Sequence, residues 1–109
     1  MVVKTWGNVV TTEYVPEEIS RRQFFQVLAS RGLITKAEAL DAVTVGTLPA
    51  AIEAIIALIP DEDIQWSIRM SFSAQNFLRS NWCVAMFGTM QGMSSAAIDQ
   101  IWRDGALLD

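Results

Sequence analysis

Two helix-start signatures constrain this chain more than any other feature. Ser20-Arg21-Arg22-Gln23 and Thr35-Lys36-Ala37-Glu38 each set a hydroxyl three residues ahead of a Gln or Glu. In such a capping box the hydroxyl accepts one orphan backbone N–H of a new helix, and the Gln or Glu side chain accepts another. Phe24, Phe25, Val27 and Leu28 follow the first box at helical spacing, and the second opens a short helix through about Val43. A fold class follows. The chain is predicted to be mainly α, a compact bundle of about five short helices, with a helical domain over 17–109.

The punctuation beyond these boxes is of the same kind. Gly32 and Gly46 suit the positions just past helix ends, where a left-handed backbone is needed. Thr47 is positioned to cap a third helix over 48–59, with Pro49 tolerated in its first turn. That helix is apolar nearly all round apart from Glu53, which predicts a central place in the fold or a face shared with a partner through Ile52, Ile55 and Ile56. Pro60 breaks it. Asp61-Glu62-Asp63 then set three acids at the start of a fourth helix, where the dipole favours them, and its stripe Ile64, Ile68 and Phe72 is widened by Trp66, Met70 and Phe77 to about Arg79. A further helix is expected over 81–91. A last one is capped by Ser94 or Ser95, has Ala97, Ile98, Ile101 and Trp102 on its inner face, and ends at Gly105.

Residues 1–16 read differently. Val, Thr, Trp and Tyr dominate them, all strand-favouring types. Gly7-Asn8 separates two such runs, and Gly in first place suits a type II′ hairpin turn. The segment is predicted to be an extended arm or small β-hairpin closed by Pro16, carrying candidate partner contacts at Val3, Trp6, Val9 and Tyr14. Trp6 either packs back on the helices or anchors the arm on another chain, as strands do when they add to a sheet.

Composition bears on chemistry chiefly through what is missing. The 109 residues contain no His and one cysteine, Cys83. The commonest general base and metal ligand is therefore lacking, and a Cys-based zinc site has too few ligands. Trp82, Val84, Ala85 and Met86 around Cys83 predict a buried thiol behaving as a small hydrophobe. Paired acids occur at Glu17-Glu18 and at 61–63, the latter explained by the helix dipole. Gly88-Thr89-Met90-Gln91-Gly92 lacks the lysine of a phosphate-binding loop. The chain is thus predicted to be no enzyme, with no cofactor, no metal and no small-molecule substrate. Leu48 to Ile59, the most apolar run, has about 12 residues where a bilayer needs about 20, and no secretory signal is apparent. These features predict a soluble protein made in the cytoplasm, with no membrane partner.

Eight Lys plus Arg stand against twelve Asp plus Glu, a balance that disfavours a general nucleic-acid binder. Arg21, Arg22 and Arg31 are the one local basic cluster, and with the helix–Gly32–helix order they superficially resemble a helix-turn-helix. Arg21 and Arg22 oppose the dipole at a helix start. Ion pairing with Glu17 or Glu18 is the simpler account of them. Trp66, Trp82 and Trp102 are expected in the core.

Two blocks, SRRQFFQVLASRGLITKAEALDAVTVGTLPAAIEAII at 20–56 and GTMQGMSSAAIDQIWRDGALL at 88–108, resemble a family of short uncharacterised proteins from phages and prophages of rhizobia and other alphaproteobacteria, encoded near tail-fibre or tail-assembly genes. The first block is the more specific, and the similarity covers 19–108. Relatives begin near the first capping box, so the arm here is a departure. The resemblance implies no catalytic or cofactor residues. It implies a bacteriophage tail setting: a virion structural protein that contacts a larger tail or tail-fibre protein, or a second copy of itself. A fibre-assembly chaperone that leaves the finished particle is one alternative. A small DNA-binding regulator using Arg21, Arg22 and Arg31 is another.

Overall fold

A computed structural model describes residues 14–108. Of the predicted arm, only Tyr14, Val15 and Pro16 fall within that range. Both capping boxes form. Ser20 Oγ accepts from Gln23 N at 3.1 Å and Gln23 Oε1 accepts from Ser20 N at 2.8 Å, starting α1 at Arg21–Ser30. Thr35 and Glu38 make the equivalent pair of 3.0 Å bonds at the head of α2, Lys36–Thr44. Gly32 follows α1 with φ of 74°, the left-handed conformation that glycine adopts without strain.

The third helix, α3, spans Ala50–Ala57 and departs from expectation at its start. Thr47 does not cap it; Pro49 occupies the cap position and offers no side-chain bond. A carboxylate from α2 serves instead, since Glu38 Oε2 accepts the Ala50 N–H at 3.0 Å. Asp61 caps α4, Glu62–Phe72, accepting from Asp63 N and Ile64 N. Asn81 caps α5, Trp82–Met90, and Ser94 caps α6, Ser95–Ala106. Six helices are thus described, one at each helix start read along the sequence, whereas the fold class predicts about five.

Helix α4 stops at Phe72, short of the predicted Arg79. Continuing the Ile68–Phe72 stripe would require apolar residues at 75 and 76, and both positions are polar. The carbonyls beyond the helix find other partners: Ser73 O accepts from Arg21 Nη1 at 2.9 Å and Gln75 O from Arg21 N at 2.8 Å. Residues Asn76–Leu78 become a strand, β2, antiparallel to β1 at Glu18–Ser20, with Ile19 opposite Phe77. Alternation then turns Ile19 and Phe77 inward while their neighbours face out.

All five phenylalanines and Trp102 fill the core. Phe24 lies with its ring centroid 4.9 Å from Phe77, 5.3 Å from Phe25, 5.6 Å from Trp102, 6.2 Å from Phe72 and 6.4 Å from Phe87. Most of these pairs are tilted or edge-on, the arrangement favoured by ring quadrupoles. Trp102, fully buried, also donates its indole N–H to the Phe77 carbonyl at 3.3 Å. The other two tryptophans expected in the core are outside it. Trp66 is 64% exposed and Trp82 52%. Two residues of separation put Trp66 about 200° around the helix from buried Ile68, and Trp82 precedes the buried Cys83–Val84 pair on the first turn of α5.

Two glycines sit at close-packed contacts. Gly105, predicted to end the last helix, lies inside α6, where a Cβ would stand 2.9 Å from Ile19 Cδ1. At Gly88 in α5, a Cβ would overlap Ile98 Cδ1 and come within 2.7 Å of its Cγ1. Gly88→Ala gains helix propensity worth up to about 1 kcal/mol, but overpacking a filled core costs about 1–3 kcal/mol. The variant is expected to be net destabilised in urea unfolding. Combined with Ile98→Ala, it should cost less than the two single changes added together, because the new methyl fills part of the cavity.

Glu38 makes a second prediction. Two backbone N–H groups, Thr35 first and then Ala50, hold its carboxyl below the ordinary value of 4.5. A lowered folded-state pKa stabilises the fold above the unfolded-state value, and that stabilisation is lost as pH falls through the folded-state value. Glu38→Ala should therefore unfold at lower urea than the natural protein at about pH 7. The gap should narrow towards about pH 3, below the carboxylate range.

Candidate functional site

A concavity lies between α1 and α2, and the residue types on α2 explain why. Its core-facing positions are Ala39 and Ala42, side chains too short to fill the space beside α1. The cleft holds about 470 Å³. One wall is the α1 stripe Arg22, Gln26, Ala29 and Ser30; the other is the α2 stripe Lys36, Ala39, Leu40 and Val43. The α1 stripe follows i, i+4, i+7, i+8 and the α2 stripe i, i+3, i+4, i+7, each the spacing of one helix face. The floor is apolar, with Leu40 63% exposed, whereas both charged residues, Arg22 and Lys36, are cationic.

The residues singled out from sequence are dispersed. Val3, Trp6 and Val9 lie outside the described residues. Tyr14 is exposed, and its carbonyl accepts from Arg103 Nε at 3.1 Å, which fastens the beginning of the described chain to α6. Ile52, Ile55 and Ile56 are buried with the Phe24 cluster. The face proposed for a partner on α3 is thus covered by the chain's own core, because the helix points its three isoleucines inward and leaves Ala54, Ala57 and Leu58 outside.

The three arginines do not form one surface. Arg21 reaches the Ser73 carbonyl beyond α4, Arg31 pairs with Asp104 of α6 at 2.7 Å, and Arg22 lies on the cleft, bonded to Gln26 Oε1 at 2.8 Å. Arg21 takes that carbonyl in place of the predicted Glu17 or Glu18 partner. Glu17 instead accepts from the Ser80 hydroxyl. With Arg21 and Arg31 spent on internal contacts, the basic cluster loses the common face that a DNA backbone would need.

Sequence reasoning missed the cleft, although the alternating small residues of α2 and the cations near both helix starts were visible signals. It also missed the exposed ridge of α4, where Glu62, Asp63, Trp66 and Met70 all face outward. Among the described residues, no three His, Cys, Asp or Glu side chains gather as a metal site, and no helix is long and apolar enough to cross a membrane. No family model, curated protein or solved structure matches the chain.

Cys83 is buried as expected, and burial pushes its thiol above the usual value of 9.0. The thiolate is the reactive form. A disulfide reagent such as dithiobis(nitrobenzoate) at about pH 8, close to the ordinary thiol value, should leave the native protein essentially unlabelled. One equivalent of thiol should appear after urea unfolding.

Proposed function

We propose that the chain is a non-catalytic component of a bacteriophage tail that works by contact with a larger tail or tail-fibre protein. The observation that carries this reading is a set of large apolar side chains outside a core already filled by five phenylalanines and Trp102. Trp66, Met70, Leu78 and Trp82 are all exposed. Tryptophan and methionine are enriched at protein interfaces, and tryptophan dominates their energetic centres. The phage-tail setting in this proposal is taken from the resemblance read in the 20–56 and 88–108 blocks. The lack of histidine, and the inaccessible thiol, favour a binding role over chemistry.

Retention in the particle separates this reading from the chaperone alternative. Mass spectrometry of purified virions should recover peptides of the chain in fixed ratio to the fibre protein. Virions that carry their fibres but lack the chain would overturn it. Duplex DNA should show no binding that depends on Arg21 and Arg31, since both are engaged within the fold.

A further inference from the structure

We infer that the α1–α2 cleft receives the outer ridge of α4 from a second copy of this chain, in a head-to-tail contact. Glu62, Asp63, Trp66 and Met70 form that ridge. The acids come first, and the two apolar residues follow one turn apart. All four are exposed, with Trp66 the most apolar surface on the helix. A helix laid into a groove through residues at i, i+4 and i+8 is a recurrent mode of protein recognition.

Cleft and ridge agree in length, polarity and charge. From Glu62 to Met70 is about 12 Å along the axis at 1.5 Å per residue, and the α1 wall from Arg22 to Ser30 has the same length. The cleft floor of Ala29, Ala39, Leu40 and Val43 is apolar, and its two alanines present short side chains opposite the ridge's indole. Its cations answer the ridge's acids. Lys36 stands in the first turn of α2, where a positive charge opposes the dipole. Carboxylates arriving from a neighbour relieve that opposition.

A second copy explains more than a foreign partner does, because knob and socket occur on the same chain. They share no residue, so a pair joined this way still offers one free ridge and one free cleft. Contacts of this heterologous kind build rings or open filaments rather than closed twofold dimers. The contact does not rest on the phage setting, and the purified chain alone tests it.

Sedimentation velocity over a concentration series, on the full chain, should show assembly beyond the dimer. Trp66→Glu and Leu40→Glu alter only exposed side chains, and their circular dichroism and urea midpoints should match the natural protein. Each variant should associate at least about tenfold more weakly, as loss of an interface centre implies. An equimolar mixture should recover a dimer and nothing larger, because the Leu40→Glu copy keeps its ridge and the Trp66→Glu copy keeps its cleft. A natural protein that stays monomeric to about 1 mM would overturn the inference. So would a Leu40→Glu variant that assembles like the natural protein, which would place the contact on α4 alone.

Discussion

Phe24 is the side chain on which the separate elements converge. Its ring meets Phe25 within α1, Phe72 from α4, Phe77 from β2, Phe87 from α5 and Trp102 from α6. These partners are spread over most of the helical region, so the first helix organises residues that follow it by up to 78 positions (102 − 24). Burial of aromatic area at this density supplies stabilisation that few surface pairs can match. The ion pairs Arg31–Asp104, Arg69–Glu53 and Arg79–Asp99 are partly exposed, and pairs of that kind contribute about 0–1 kcal/mol each. They orient helices already held by the core.

The two helices without a ring in this cluster are α2 and α3, and they attach differently. Helix α3 inserts Ile52, Ile55 and Ile56. Helix α2 offers only Ala39 and Ala42, which permit a close approach to α1 without filling the gap beside it. The cleft is thus a by-product of a small-residue face, and one of its walls is α1, the helix that carries Phe24.

Local rules were legible in the sequence where a few neighbouring residues decide the outcome. Both capping boxes, the Asp61 and Ser94 starts and the left-handed Gly32 follow from short-range geometry. The misreadings come where partners far apart in sequence decide. Nothing within 73–79 reveals that Arg21 will take the Ser73 and Gln75 carbonyls and that β1 will pair with β2. Gly105 reads as a helix end until Ile19 is seen against it. Residue type alone points Trp66 and Trp82 to the core, whereas helical phase relative to Ile68 puts Trp66 outside. The cleft was least legible, because it depends on how two helix faces meet.

The glutamine and the glutamate of the two capping boxes each hold a second, distant group. Gln23 gives its amide N–H to the Leu108 carbonyl at 2.9 Å, while Glu38 turns its other oxygen to the Ala50 N–H. One needs a donor and the other an acceptor. The helix-start code treats Gln and Glu as synonyms, but in this chain they are different words: an acid at 23 would face a carbonyl, and an amide at 38 could turn its NH2 towards an N–H. Each box therefore specifies where a helix begins and also which later segment must return to it.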